Sequence, residues 1–157
     1  MRLHVIFTGR TVGKFFQEGV AEYGGRIGHY LPFTLEELPD LRNARNLSEE
    51  QQKEREADQV LKSLAPGDVL VLLDERGKEF TSRQFAEFLE QRTHTVSKRL
   101  IFLVGGPYGF SPRIYEAAQA QVSLSKMTFS HQMVRLFLME QLYRACTIIK
   151  GEPYHHD

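Results

Sequence analysis

Leu100-Ile101-Phe102-Leu103-Val104-Gly105-Gly106-Pro107-Tyr108-Gly109 is the stretch that decides the fold. Five apolar residues in a row, with no polar alternation, are the mark of a strand covered on both faces, as in the middle of a parallel sheet. The run is far too short to cross a bilayer. A second such run, Val69 to Leu73, follows the turn Ala65-Pro66-Gly67-Asp68. Two buried strands of this kind call for helices on both sides of one sheet.

Working outward, the helices are there. Leu3 to Phe7 is a short strand ending at Thr8-Gly9, and Val12, Phe15, Phe16, Val20, Tyr23 and Ile27 then recur at helical spacing up to Gly28. Phe33 to Leu38 is another strand, closed by Pro39-Asp40. Ser48 with Gln51, and Thr81 with Gln84, have the spacing of capping boxes. The first opens a helix with Ala57, Val60, Leu61 and Leu64 on one face, the second a helix lined by Phe85, Phe88 and Leu89. Ser111-Pro112 predicts an N-cap and first helical residue, with a short helix to about Ala120. Val122 to Phe129 reads as mixed strand or loop, and Ser130 as the cap of a long helix from His131 to about Ile149. Strands alternating with helices predict an α/β domain spanning 1–157, a mostly parallel sheet with helices on both faces.

Composition agrees. The chain has 157 residues, 41% hydrophobic and 25% charged, near the averages of globular domains. At this size folding buries about 69% of the unfolded surface, so a core forms without disulfide or metal staples. Cys146 is the single cysteine, which excludes an internal disulfide and any CxxC zinc site. The N-terminus has no long apolar run or small-residue cleavage site, so the expectation is a cytoplasmic protein with no signal peptide and no membrane segment. The net charge of zero hides an asymmetry: residues 1–97 carry 13 basic and 16 acidic residues, residues 98–157 carry 7 and 4. A uniformly basic nucleic-acid binder is excluded. A local basic face in the C-terminal third is not.

The last helix carries two apolar stripes, Val134, Leu138, Leu142, Ala145, Ile149 and, about 120° round, Leu136, Met139, Tyr143, Cys146. One stripe suffices to pack on the helix's own sheet. The second predicts a partner subunit, a homodimer through the C-terminal helix, or else deeper burial within its own chain. Between the stripes lie Glu140 and Arg144, spaced i,i+4, with Arg135 on the same polar side: a surface ion pair, or the lining of a site.

Ligands of parallel α/β sheets bind at the carboxyl ends of strands. Leu73 leads into Asp74-Glu75-Arg76-Gly77, and Val104 into the glycine-rich turn, where backbone can approach a ligand closely. The spacing fits neither GxGxxG nor GxxxxGK[ST], and Gly-Gly-Pro also serves as a plain turn. Leu124-Ser125-Lys126-Met127-Thr128-Phe129 brings amides and hydroxyls to a helix N-terminus, with His131 in the first turn. The tail offers Tyr154, His155 and His156, without partners at metal-site spacing, so no metal is expected. No GxSxG elbow is present. These residues fit group transfer from a bound cofactor, and equally a nucleotide-binding module.

Taken together, Leu103-Val104-Gly105-Gly106-Pro107-Tyr108-Gly109, Ser123 to Arg135, Glu140-Gln141-Leu142-Tyr143-Arg144-Ala145 and the terminal Tyr154-His155 resemble the ribosomal RNA large subunit methyltransferase H family, part of the SPOUT superfamily of knotted methyltransferases. The resemblance implies a SPOUT-type C-terminal trefoil knot, a rare exception to unknotted topology. It implies S-adenosyl-L-methionine as cofactor, bound by Leu73, Gly105 and Leu124, Ser125, Lys126, Met127, Thr128 and Phe129. The implied reaction is methylation of N3 of a pseudouridine in 23S rRNA on assembled ribosomes. Tyr154 and His155, from the partner subunit's tail, would position substrate or move its proton, with Arg144 on phosphate or a base carbonyl and Glu140 orienting it. One departure stands out: relatives often end in a basic residue after Tyr-His, whereas His156-Asp157 ends this chain, which weakens a tail–phosphate contact. Two alternatives remain at this point, a catalytically silent ribosome-binding module of the same fold and a knotted methyltransferase acting on tRNA.

Overall fold

The computed structural model describes residues 1–156. The elements follow in the order β1 (Arg2–Phe7), α1 (Lys14–Ile27), β2 (Phe33–Glu37), a 3-10 turn (Ala44–Asn46), α2 (Glu49–Ser63), β3 (Val69–Glu79), α3 (Ser82–Thr95), β4 (Arg99–Val104), α4 (Pro112–Ala117), β5 (Ala120–Ser123) and α5 (Met133–Ile149). The strands form one parallel sheet in the order β2-β1-β4-β3-β5. The run that decides the fold, β4, lies at its centre.

Strand side chains alternate between faces, and each face has its own core. Leu3, Val5 and Phe7 of β1, with Leu100, Phe102 and Val104 of β4, pack under α1, α3 and α5. Ile6, Leu70, Leu72, Ile101 and Leu103 point the other way, onto Ala57 and Val60 of α2 and Ile114 of α4. A strand covered twice has no place for a polar residue, which is why Val69–Leu73 of β3 and Leu100–Val104 of β4 are unbroken apolar runs. Both capping boxes form as predicted. Ser48 Oγ accepts from the Gln51 amide at 3.1 Å while Gln51 Oε1 accepts from the Ser48 amide at 2.9 Å, and Thr81 and Gln84 repeat the pair.

Four expectations need correction. β3 does not stop at Leu73: residues 74–77 bulge out, Leu73 and Lys78 both register with Val122, and the strand resumes to Glu79. Gly77 allows this, since a Cβ there would sit 2.7 Å from backbone atoms of Gln121 and Val122. α4 ends at Ala117, because the chain turns extended at Ala118 to enter β5. α5 proper begins at Met133, preceded by a turn hung on Ser130, whose Oγ accepts from the Met133 amide at 3.1 Å. The second apolar stripe of α5 is covered within the chain: Met139 and Cys146 are buried, and Leu136 and Met139 lie against Gly19 and Gly24 of α1. That stripe therefore gives no argument for a partner.

Arg135 is also not on a polar side. It is fully buried, donating from Nη2 to the Thr8 carbonyl at 2.9 Å and from Nη1 to the Gly9 carbonyl and Thr11 Oγ1 at 3.0 Å each. Its guanidinium stacks on the Phe7 ring at 4.8 Å and so pins the loop after β1 to α5.

Candidate active-site cleft

β3 hands its chain to α3 on one face of the sheet, and β4 hands its chain to α4 on the other. The connections diverge, and a cleft of about 580 Å³ opens between the strand ends. Of the eight residues singled out for the cofactor, Leu73, Gly105, Leu124, Ser125, Met127, Thr128 and Phe129 line it. Lys126 is not among the lining residues. Its exposed ammonium lies 3.9 Å from Glu79, outside the cleft.

Neighbours dictate the two glycines. A Cβ on Gly105 would sit 2.9 Å from the Phe110 ring, and one on Gly106 would sit 2.6 Å from Glu56 Oε2. The loop from 124 is folded by its own hydroxyls. Ser123 Oγ donates to the Ser125 carbonyl at 2.9 Å, and Ser125 Oγ accepts from the Met127 amide at 3.0 Å. Thr128 Oγ1 donates to Glu75 Oε2 at 3.2 Å, which ties this loop to the β3 bulge.

Sequence reasoning placed Asp74 and Arg76 at the strand end but missed Tyr115, the group that joins them in the polar wall of the cleft. Tyr115 of α4 donates a short hydrogen bond to Asp74 Oδ2, and Arg76 Nη2 donates to the Tyr115 hydroxyl at 3.2 Å. Burial first, then the Asp74 hydrogen bond, push the Tyr115 phenol above its ordinary range. Burial and the Arg135 cation lower the His131 imidazole, so His131 faces the cleft uncharged at neutral pH.

Glu140, Arg144, Tyr154 and His155 come together as one cluster, but apart from the cleft: none of them lines it. Arg144 donates from Nε and Nη2 to Glu140 Oε1 at 2.9 and 2.6 Å, and Tyr154 donates to the same oxygen at 3.2 Å. The guanidinium lies 4.8 Å from the Tyr154 ring centre. Arg144 Nη1 is 3.1 Å from His155 Nδ1. Arginine only donates, so Nδ1 accepts and the neutral imidazole carries its proton on Nε2. Burial, then Glu140, push the Tyr154 phenol up to about 12. Asp157, the acidic departure at the terminus, lies outside the described residues.

No described helix is long and apolar enough to cross a membrane, and no three His, Cys, Asp or Glu among the described residues form a metal-ligand group.

Comparison with known proteins adds a family. The family described as "Predicted SPOUT methyltransferase" matches residues 1–155. Proteins called Ribosomal RNA large subunit methyltransferase H from Parabacteroides distasonis and Phocaeicola vulgatus are 58% and 55% identical to the chain, each covering 100% of both sequences. The crystal structure of a probable methyltransferase from Bordetella pertussis Tohama I aligns with a TM-score of 0.57 at 12% identity, over 92% of this chain and 94% of that one, a likeness of fold alone.

Proposed function

The chain belongs to the SPOUT methyltransferase family, and from that premise we propose that it methylates N3 of a pseudouridine in 23S rRNA on assembled ribosomes, with S-adenosyl-L-methionine as methyl donor. The observation that carries the reading is the convergence of Leu73, the Gly105-Gly106 turn and the 124–129 loop on one cleft at the strand ends. Relatives named for large-subunit rRNA methylation, more than half identical over their whole length, support the substrate class.

The cleft suits this cofactor. Both glycines of the turn line the cleft, packed against Phe110 and Glu56 on the side where a Cβ would stand. Leu73, Leu124 and Phe129 offer an apolar wall, and Asp74, Glu75, Arg76 and Lys53 give it a mixed polar edge. When bound, the cofactor supplies a methyl group already activated by its sulfonium. What remains for the protein is to hold the two reactants in line, exclude water and ease the loss of the N3 proton.

The Glu140–Arg144–Tyr154–His155 cluster suits the last task. Its Nε2–H and guanidinium donors can meet a base carbonyl as negative charge develops on the imide. Glu140 and Tyr154 hold the guanidinium in place, and Tyr154 stays protonated throughout the working range. Since these residues lie apart from the cleft of their own chain, we take the cluster to serve the cleft of a second copy in a homodimer. Exposed apolar side chains support that: Phe137 of α5 is 43% exposed and packs tilted on Phe129 at 4.9 Å, and Val12 and Phe15 around the start of α1 are 64% and 68% exposed.

Radiolabelled methyl transfer tests the reading, with unmethylated assembled ribosomes, free 23S rRNA and tRNA as parallel substrates. Label in the 23S rRNA of ribosomes is expected. No label anywhere, with cofactor binding intact by calorimetry, overturns the reading in favour of a silent binding module, and label in tRNA overturns the substrate. Mixing a His155→Ala subunit with a Gly105→Val subunit restores activity if the tail acts across the dimer, and does not if it acts on its own cleft.

A further inference from the structure

A second cavity, of about 210 Å³, lies beside the cleft and shares Pro107 and His131 with it. It sits where the connection after β1 runs to α1 on one face of the sheet and the connection after β4 runs to α4 on the other. Crevices at such reversals are where open α/β sheets bind ligands. One wall is the loop Thr8 to Val12, held in place from several directions. Arg135 donates to the Thr8 and Gly9 carbonyls, Asp40 Oδ1 accepts from the Arg10 amide at 3.0 Å, and Gln132 bonds both the Arg10 carbonyl at 3.1 Å and the Val12 amide at 2.8 Å.

The lining holds an unfinished hydrogen-bond site. Glu56 of α2 is nine-tenths buried. Gln52 Nε2 donates to its Oε2 at 3.2 Å, while Oε1 has no partner. A buried carboxylate oxygen without a donor is costly, and a native site of this kind asks for a ligand group that donates. Asp40 stands exposed at the rim, but basic residues outnumber it. Arg10 lines the cavity, Arg42 and Arg45 flank the lining residues Leu41 and Ala44, and all three are exposed. None of their guanidinium groups has an ion pair or hydrogen bond among the described residues. The buried Arg135 guanidinium also lines the cavity, but the Thr8 and Gly9 carbonyls take up its donors, which leaves Glu56 as the interior group with an unmet acceptor; such an acceptor beneath unpaired arginines matches a nucleotide, with amino-bearing base inward and phosphates at the rim.

We propose that this cavity is a second nucleotide subsite, which takes an RNA nucleotide neighbouring the one in the cleft, with an exocyclic amino group of its base on Glu56 and its phosphates on Arg10, Arg42 and Arg45. The inference rests on the proposed action on ribosomal RNA and deepens it. A carboxylate accepts from adenine, cytosine or guanine amino groups, whereas uracil presents its one N–H between two carbonyls, so the subsite selects against uridine.

The test is methylation kinetics on assembled ribosomes at several salt concentrations, with Arg42→Ala/Arg45→Ala, Glu56→Ala and wild type. The arginine pair is expected to raise the ribosome KM about tenfold and to flatten its salt dependence by about 0.7 log unit per arginine. Glu56→Ala is expected to raise the ribosome KM about tenfold with the salt slope and the calorimetric cofactor Kd unmoved. Ribosomes with a nucleotide next to the target changed to uridine should show the same rise, and Glu56→Ala should then add nothing. An unchanged ribosome KM in both protein variants overturns the subsite, as does a Glu56 effect confined to cofactor Kd, which would make Glu56 a prop for Gly106. Glu56→Gln serves if the alanine variant does not fold. Failure of the wild type to label ribosomes overturns the parent reading, and this one with it, whereas labelling with unmoved KM values overturns this one alone.

Discussion

Replacing Gly106 by alanine adds one methyl group at a place where the structure has no room for it. The new Cβ would lie 2.6 Å from Glu56 Oε2, 3.0 Å from Oε1 and 3.1 Å from Cδ. The nearest approach is about 0.7 Å inside a relaxed carbon–oxygen contact. Glu56 cannot swing clear easily, being nine-tenths buried and held by Gln52. Overpacking of this kind costs about 2 kcal/mol. If the turn stays where it is, the strain lowers stability, and Tm falls by about 4–8 °C in a chain of this size. If the turn moves into the cleft to escape, stability is kept and the same free energy weakens cofactor binding by about 30-fold. Thermal melting and calorimetry with S-adenosyl-L-methionine therefore measure two parts of one sum. Combining Gly106→Ala with Glu56→Ala removes the obstacle, so the double variant should recover most of the loss. A double variant with purely additive losses, or a Gly106→Ala protein indistinguishable from wild type in both assays, would refute the reasoning.

Three other outcomes follow from groups buried elsewhere. Arg135→Met leaves the carbonyls of Thr8, Gly9 and His131 without their donors, and should cost about 3 kcal/mol, seen as a Tm lower by about 6–12 °C. Tyr30, hydrogen-bonded to Glu152, and Tyr154, buried beside Glu140, are both pushed up to about 12, so titration near 295 nm should leave at least these two of the six tyrosines largely un-ionised at pH 11, beside the raised Tyr115, until denaturant is added. In linkage terms the unfolded chain ionises these phenols first, near 10, so stability should fall as pH rises from 10 to 12. Burial lifts the Cys146 thiol to about 12, so a thiol reagent at pH 8 should react with the native protein no faster than it unfolds, and rapidly in guanidinium.

What the sequence made legible was the part of the structure written in short range. Unbroken apolar runs marked β3 and β4 as central strands, and the capping boxes at Ser48 and Thr81 gave helix starts to the residue. The cleft's lining was legible for the same reason, because strand ends followed by glycine, or by a hydroxyl-rich loop, are local patterns. Less visible was anything that depended on which surfaces meet. The second stripe of α5 was apolar whether its cover came from α1 or from another subunit, and only Gly19 and Gly24, small enough to admit Leu136 and Met139, distinguish the two. Arg135 fell between two apolar stripes on a helical wheel, where an exposed residue and a buried one making four hydrogen bonds look alike.

Glu56 is the sharper case, because a signal was present. It lies four residues before Val60 and next to Ala57, on the apolar stripe by which α2 packs on the sheet. A charge at that register is expensive unless something compensates it. Here the compensation within the chain is incomplete, one hydrogen bond from Gln52 against two carboxylate oxygens. The same carboxyl is what forces position 106 to be glycine, so two features of the sequence that look unrelated, an acid on an apolar face and the second glycine of a turn fifty residues later, have one cause. That cause sits between the two cavities. The divergence of chain connections at β1, β4 and β3 creates both cavities from one sheet edge, and Pro107 and His131 form part of the wall of each. On the proposed reading, an RNA substrate longer than a single nucleotide meets the cofactor cleft and the Glu56 cavity as neighbours, with Pro107 and His131 forming the wall between them.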